Sequence, residues 1–406
     1  MASDNTAIGC SEAIKIVLDI IEPIGSVSLP INDCADRVVA EDLDARVNSP
    51  SVDASLKDGY AVRSSEIENA TPDNPVRLRI VGTAAAGSPS KEDVSDGKVI
   101  RVWTGAKIPK GADAVVAEEF SRVEQKDVVI TNTAGPGRNI FPMGADVTLG
   151  ERMCLRGNRL APGLLGLLAA AGFGELPVYR RPSVAIVATG DEVVAAGRPL
   201  PEGKLYASNL TTLNAWCRRY GMETGLQIVR DEKEILQAGI ETAIASSDAL
   251  LTSGGAWTGD RDLVAGILEE LGWKKYFHRV RMGPGKAVGF GMLRGKPVFI
   301  LPGGPPSNLL AFLQIALPGL LRLSGYADPH LPRMTATLDR DIAVRTKDWT
   351  QFVFGNLQAE DGPMRFSPLE LTSRLQSMAR AKAIACIPEG VDTLPKGAVV
   401  QVQLLS

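Results

Sequence analysis

The sequence predicts a multidomain α/β plus β protein, in which a central α/β block is flanked on both sides by β-rich segments. Three observations carry that reading. Apolar β runs alternate with helical patterns from Val184 to Leu321, Val-rich runs alternate with Gly, Pro, Asn and Asp turns from Asn48 to Phe141, and short β runs with Gly-Pro, Glu-Gly and Lys-Gly turns return from Pro332 to Leu405. A chain of 406 residues has room for several such domains and their cores.

Taken in order, Ser11 to Glu22 places Ala13, Ile14, Ile16, Val17, Ile20 and Ile21 at helical spacing, and Pro23-Ile24-Gly25 ends the helix. Short β-like runs follow from Ser26 to about Leu43, and the Val-rich block from Asn48 to Phe141 reads as a small β module. Pro162 to Ala171 is a helix of small residues closed by Gly172-Phe173-Gly174, and a domain boundary is expected near Arg180. Val184 to Thr189 is then a fully apolar β run, followed by a helix over Asn209–Tyr220. Strand and helix repeat as Thr224–Val229, Ile235–Ser246, Ala249–Thr252, Leu263–Leu271, Val298–Leu301 and Ser307–Leu321. Buried apolar strands alternating with helices predict a parallel sheet covered on both faces.

Composition narrows the function. Apolar residues make up 45% and charged residues 22%, and 47 acids against 44 bases leave a net charge of −3. This excludes whole-chain disorder and argues against a nucleic-acid partner, because no long basic run is present to neutralise phosphates. The odd set of five cysteines, at 10, 34, 154, 217 and 386, contains no CxxC pair and points to a reducing, cytoplasmic setting. The polar start Met1-Ala-Ser-Asp-Asn-Thr reads as no signal peptide. The apolar stretches Leu160–Phe173 and Leu309–Leu323 read as too short to span a bilayer, so no membrane partner is expected. With only His278 and His330 in the chain, a Ser-His-Asp triad or a His-based zinc site has little to draw on.

The chemistry is expected where strands of an open parallel sheet end and loops enter helices. Thr189-Gly190-Asp191-Glu192 follows the first strand, and Ser253-Gly254-Gly255 with Gly259-Asp260-Arg261-Asp262 follows the third. Met282-Gly283-Pro284-Gly285-Lys286 precedes a β run, and Leu301-Pro302-Gly303-Gly304-Pro305-Pro306-Ser307 joins the last strand to its helix. Gly303-Gly304 offers bare backbone N–H groups at a helix start, which suits a phosphate or other oxyanion, with ordinary turn chemistry as the bland alternative. Ser307 fits either a helix cap or a ligand. Neither GxxxxGK[ST] nor GxGxxG after a strand occurs, so a nucleotide-hydrolysing switch and a Rossmann dehydrogenase both lose ground. Asp191, Glu192, Asp231, Asp260 and Asp262 are hard oxygen donors able to hold Mg²⁺ beside phosphates, or else helix caps and solvated charges. Lys286 is a candidate cation for an oxyanion, and Arg279 and Arg281, two apart on one strand, would face the same way. His278 reads as a packed or surface histidine.

These residues carry a resemblance. Ser55-Leu-Lys-Asp58-Gly59-Tyr60-Ala61, Thr104-Gly105-Ala106 with Gly111-Ala-Asp113-Ala-Val115, Arg138-Asn139-Ile140 with Gly144-Ala-Asp146, Thr189-Gly-Asp-Glu192, Ser253-Gly-Gly255, Pro284-Gly-Lys286 and Pro302-Gly303 occur in one order along nearly the whole chain. In that ordered series the chain resembles the molybdopterin molybdenumtransferases of molybdenum-cofactor biosynthesis, related to the C-terminal part of gephyrin. The resemblance implies an elongated homodimer of four-part subunits: an elongated N-terminal region (1–47 and 142–180), an inserted β domain (48–141), a three-layer α/β domain similar to molybdopterin adenylyltransferases (181–329) and a C-terminal β-barrel (330–406). It implies that adenylylated molybdopterin and molybdate give molybdenum cofactor and AMP with Mg²⁺. A molybdopterin adenylyltransferase and cofactor-accepting enzymes are the implied partners.

By matching position the resemblance implies catalytic roles for Asp58, Thr104, Asp146, Glu192 and Lys286, with Asp231 and Asp262 as metal ligands. Ser253, Gly254, Gly255, Arg279, Gly303, Gly304, Ser307 and Ser373 are the implied substrate-binding residues. The chain also departs from the family. A lysine expected before Pro-Gly-Lys is Gly283, a proline after it is Ala287, Pro-Gly-Asn-Pro is Pro302-Gly303-Gly304-Pro305, and an arginine near molybdate aligns with Phe354. Losing two cations weakens dianion binding, with Arg279, Arg281 or Arg374 as replacements. Rival readings are a tungstate-specific variant, a paralogue that binds pterin or partners without turnover, and an adenylyltransferase or pyrophosphatase on the same central domain.

Overall fold

A computed structural model describes residues 7–255, 263–359, 363–369 and 373–405. The chain forms two compact units, one of Met1–Val27, Gly157–Arg159 and Val178–Ser406, the other of Ser28–Arg156 and Leu160–Pro177.

In the first unit six strands form a sheet in the order Glu223–Val229, Ser183–Thr189, Ala249–Ser253, Lys296–Leu301, Gly289–Leu293 and Lys274–His278. The first four run parallel and the last two close the sheet antiparallel. Along Ser183–Thr189 the side chains alternate between two cores. Val184 and Ile186 join Leu210, Leu213 and Cys217 of the Ser208–Arg219 helix, whereas Ala185 and Val187 join Leu236 and Ile240 of the Lys233–Ala245 helix and Val264 of the Leu263–Glu270 helix. Burial on both faces is what makes this strand apolar at every position from Val184 to Ala188. The Cys10–Ile20 helix packs Ala13 and Val17 into the first of these cores.

The last helix of the sheet starts at Pro305, with Gly304 as its cap, rather than at Ser307. Pro fits the first helical position because its missing N–H has no partner to lose there. The helix runs on through a π turn at Phe312–Ala316 to Leu323. Pro318 has no N–H to give to Gln314, and the preceding turn widens accordingly. The Pro305–Leu323 helix is long and apolar enough to cross a bilayer, but 83% of its 18-residue apolar window is buried in the protein, as in a core helix.

The C-terminal strands Thr350–Gln358, Arg365–Pro368, Arg333–Leu338, Val399–Leu404 and Ala383–Ile387 pair in that order. Thr350–Gln358 also pairs with Ala383–Ile387, which closes a β-barrel around Ala336, Leu338, Phe366, Ala385, Val400 and Val402. The short strand Val280–Gly283 joins Thr350–Gln358, and Ile8–Gly9 joins Val280–Gly283. Arg279 therefore does not share a strand with Arg281. It takes a φ of 110° between Lys274–His278 of the first sheet and Val280–Gly283 of the second, so the chain changes sheets at that residue and the two side chains do not share a face. Inside this unit the buried amides of Gln314 and Gln403 donate to each other's oxygens at 2.6 and 3.0 Å.

The second unit is built on a six-stranded sheet in the order Ala114–Ala117, Gly59–Val62, Lys98–Val102, Val76–Ala84, Asp127–Ile130 and Ser121–Glu124. Tyr60 and Val62 face one core while Ala61 faces another with Ile100 and Val102. Gly59 lies so close to the neighbouring strand that a Cβ there would sit 1.9 Å from the Val116 carbonyl oxygen, so the Asp58-Gly59 turn admits no side chain at its second position.

Candidate active site

The first unit holds a cleft of about 110 Å³ at the carboxyl ends of the parallel strands, lined among others by Thr189, Glu192, Asn209, Ser253, Gly254 and Gly303. Gly254 has a φ of 106° and a Cβ there would lie 2.5 Å from the Thr189 carbonyl oxygen, so only glycine lets the two strand ends approach. Its amide donates to the Leu301 carbonyl at 3.1 Å, which ties this loop to the Gly303-Gly304 loop. The amides of Gly303 and Gly304 donate to no backbone carbonyl among the described residues and stand free at the start of the Pro305 helix.

Ser253 is the best-held polar group here. Its Oγ accepts from Asn209 Nδ2 at 3.3 Å and from Asn308 Nδ2 at 3.0 Å, and the same two amides donate to the carbonyls of Gly303 at 2.8 Å and Pro302 at 2.9 Å. With both lone pairs taken, the serine hydroxyl keeps its proton for a ligand oxygen. Asn209 and Asn308 are functional residues that sequence reasoning missed. Each lies in the first turn of a helix, an ordinary place for Asn, and only the fold brings both to Ser253. Thr189 Oγ1 is buried in the same lining with no hydrogen-bond partner among the described residues.

Beside the cleft, the backbone N–H of Asp231 donates to Asp191 Oδ1 at 3.4 Å, and Lys204 Nζ donates to the Asp191 carbonyl. Burial first, then the negative charges of Asp191 and Glu192, push the Asp231 carboxyl above its ordinary range. Among the described residues no three acidic, His or Cys side chains converge as a complete metal cage. The donor set fits Mg²⁺ shared with phosphate oxygens, since that ion uses one or two carboxylates and fills its remaining positions with water and phosphate. Asp262, the other expected ligand, and the Gly259-Asp260-Arg261 segment before it lie outside the described residues.

The positions of the two missing cations lie elsewhere in this unit. Gly283 and Phe354 line a second cleft of about 380 Å³ at the barrel, with Pro284, Arg345, Trp349 and Gln351. Lys286 is exposed, and its Nζ stands 5.6 Å from the centroid of the Trp349 ring. Arg345 lines this cleft, a cation the sequence reading did not single out. Of the replacements it did name, Arg281 is committed to Glu389 and to the Ala7 carbonyl, and Arg279 sits at the change of sheets. Arg374 begins a short helix that Ser373 caps, its Oγ accepting from the Gln376 N–H at 3.4 Å, so Ser373 has a structural partner. Ser307 lies in the first turn of the Pro305 helix and is not its cap. His278 occupies a strand, its imidazole held toward the neutral form by burial and by Arg279 and Lys275.

In the second unit Asp58 Oδ1 accepts from the Thr104 N–H at 2.7 Å and from the Thr104 hydroxyl at 2.8 Å, and these bonds hold the carboxyl below its ordinary range. Asp146 is exposed on another loop of this unit, its N–H donating to the Ser49 carbonyl at 2.9 Å.

Comparison with known proteins gives a consistent assignment. Residues 8–172 match the MoeA N-terminal region (domain I and II), and residues 185–322 match the "probable molybdopterin binding domain". The molybdopterin molybdenumtransferase of Bacillus subtilis is 30% identical, with 100% of this chain and 96% of that protein aligned. The enzyme of that name from Nostoc is 32% identical over 89% of this chain and 84% of its own length. The solved structure of a molybdopterin biosynthesis MoeA protein from Pyrococcus horikosii superposes with a TM-score of 0.84 at 32% identity, covering 98% of this chain and 99% of that one. The chain belongs to the molybdopterin molybdenumtransferase family.

Proposed function

We propose that the chain inserts molybdate into adenylylated molybdopterin and releases AMP, with Mg²⁺. The observation that carries this reading is the strand-end cleft, where Ser253, held by Asn209 and Asn308, lines the same space as Glu192 and Gly303, beside the helix start at Gly304. Neutral donors on one side and carboxylates on the other suit a pyrophosphate that carries a divalent ion. Ser253 donates to a phosphate oxygen, the glycine amides orient the group, and Asn209 and Asn308 fix both loops before the ligand arrives. Glu192 and Asp231 would hold the cation, which when bound offsets charge on the phosphate oxygens. The tetrahedral oxyanion is assigned to the barrel cleft, where Lys286 and Arg345 supply positive charge.

The test is AMP release from adenylylated molybdopterin with Mg²⁺ in the presence of molybdate, tungstate or neither. Release that depends on molybdate supports the transferase. Release that depends on tungstate alone assigns the other metal.

A second reading has its own observation. Gly283 and Phe354 leave two walls of the barrel cleft without charge, as in a paralogue that binds the pterin and does not turn it over. Pterin binding with no AMP under all three conditions would favour it.

A further inference from the structure

The strand-end cleft is smaller than the ligand proposed for it. Sites that enclose a whole ligand of that size measure about 300 Å³ or more, against about 110 Å³ here. The cleft has room for the phosphates, so the rings they carry must lie at its mouth. Leu205 and Tyr206 belong to the lining and are 62% and 42% exposed, whereas Thr189, Ala207 and Ser253 beside them are buried. Tyr206 is the only aromatic ring of that lining among the described residues. Both residues are held before any ligand arrives. Leu205–Tyr206 pairs in parallel with Val193–Val194, the Leu205 N–H donates to the Glu192 carbonyl at 2.8 Å, and the Ala207 N–H donates to the Val194 carbonyl at 2.9 Å. The Tyr206 hydroxyl donates to the Arg198 carbonyl at 3.0 Å, which pins the far end of the ring and commits its proton.

An exposed ring whose hydroxyl proton is already used, next to an exposed leucine, offers a ligand a π face and apolar surface rather than a donor. A planar heterocycle matches that surface. The ring is fixed in advance, so stacking on it costs little further side-chain entropy. We propose that Tyr206 and Leu205 form a platform on which a planar heterocycle stacks while the phosphate tethered to it enters the cleft at Ser253 and Gly303. Tyr206 is on this account a positioning residue, and a bare pyrophosphate would use the cleft and not the platform. The proposal rests on the reading that the substrate is an adenylylated pterin, whose adenine and pterin rings share the chemistry named here.

The experiment titrates the full chain, with Mg²⁺ present, by calorimetry against three probes: ADP, a pterin bearing a diphosphate on its 6-methylene group, and pyrophosphate. The parent should bind at least one ring-bearing probe more tightly than pyrophosphate. Tyr206→Ala should weaken that probe about tenfold, Tyr206→Phe should stay within about threefold, and pyrophosphate affinity should be unchanged in both. A loss confined to ADP assigns the platform to adenine, a loss confined to the pterin probe assigns it to the pterin, and a loss of both shows that it takes either ring. Equal affinity of Tyr206→Ala and the parent for both ring-bearing probes overturns the proposal. So does a parallel loss of pyrophosphate, a Tyr206→Phe variant as weak as Tyr206→Ala, or a parent that binds neither ring-bearing probe more tightly than pyrophosphate. The AMP-release assay separates the two readings. Tyr206-dependent ring binding without oxyanion-dependent AMP release keeps the platform and removes the transferase, and oxyanion-dependent AMP release with Tyr206-independent ring binding does the reverse.

Discussion

The two clefts of the first unit hold their ligand-facing groups in opposite ways. At the strand ends neutral side chains tie the loops together. Asn209 and Asn308 grip Ser253 and the Pro302-Gly303 carbonyls, and the loops they join cannot separate without breaking those bonds. At the barrel the walls are largely apolar, with Phe352, Phe354, Leu369 and Ile387, and the cations are exposed. Lys286 rests against the Trp349 ring. A cleft organised by neutral hydrogen bonds keeps its shape at any ionic strength, whereas one that relies on exposed cations loses attraction as salt screens them. Shape and charge are thus assigned to different parts of the same unit.

The largest effect should come from the acidic side of the strand-end cleft. Asp231→Asn is expected to lower AMP release about 100-fold, read by steady-state rates at saturating Mg²⁺. The same variant should be more stable than the parent at neutral pH. The raised carboxyl of Asp231 shows that its charged form is disfavoured in the fold, by burial and by Asp191 and Glu192, so removing that charge relieves a penalty. The gain should vanish as the pH falls below the ordinary carboxylate range, where Asp231 is protonated both folded and unfolded, and melting curves from pH 3 to pH 8 would show it. An Asp231→Asn enzyme of full activity would erase the division between an acidic and a neutral side.

Asn308→Leu comes next. The side chain is 1% exposed and serves both Ser253 and Pro302, so its loss leaves the buried Pro302 carbonyl unpaired and Ser253 with Asn209 alone, and should cost about 2 kcal/mol in denaturant unfolding. AMP affinity should fall with it. Gly283→Lys addresses the other cleft. A Cβ at Gly283 meets the Gln351 amide at 3.1 Å, a flexible side chain able to move, and the added cation should reduce the molybdate needed for half-maximal AMP release about tenfold. Phe354→Arg offers no such route, since it would bury a charge at a position 3% exposed. The smallest effect is expected for Trp349→Leu, which removes one cation–π contact and should raise the half-maximal molybdate concentration about threefold, with AMP binding untouched. If Trp349→Leu instead weakens AMP binding, the two clefts do not divide the ligand as described.

What sequence could and could not reveal follows from the range of the forces involved. The Ser183–Thr189 strand was legible because burial on both faces leaves an apolar residue at every position from Val184 to Ala188, and the loop glycines because their backbone demands are local. Arg279 and Arg281 were misplaced on one face because spacing carries no sign of the left-handed φ at which the chain leaves one sheet for another. The start of the last helix was set two residues late, since Pro305 reads as a turn residue until its place as the first helical residue is seen. Asn209 and Asn308 were invisible for a different reason. Their partner Ser253 is 44 and 55 positions away, and nothing local marks an Asn that will be used at that range. Asp58 and Thr104, 46 positions apart, became readable only through the resemblance of their segments to a known family.

The reciprocal amides of Gln314 and Gln403 have a consequence for how this chain can change. Each donates to the other in a buried setting, one from the π turn of the core helix and one from a barrel strand, at 2.6 and 3.0 Å. Replacing one alone strands an amide with no water to turn to, while replacing both with apolar residues of similar size removes the demand entirely. The two positions are therefore bound to mutate as a couple. A lineage that passes through the single change must carry the weakened barrel attachment until the second change arrives, which makes this pair a historical ratchet on the join between helix and barrel.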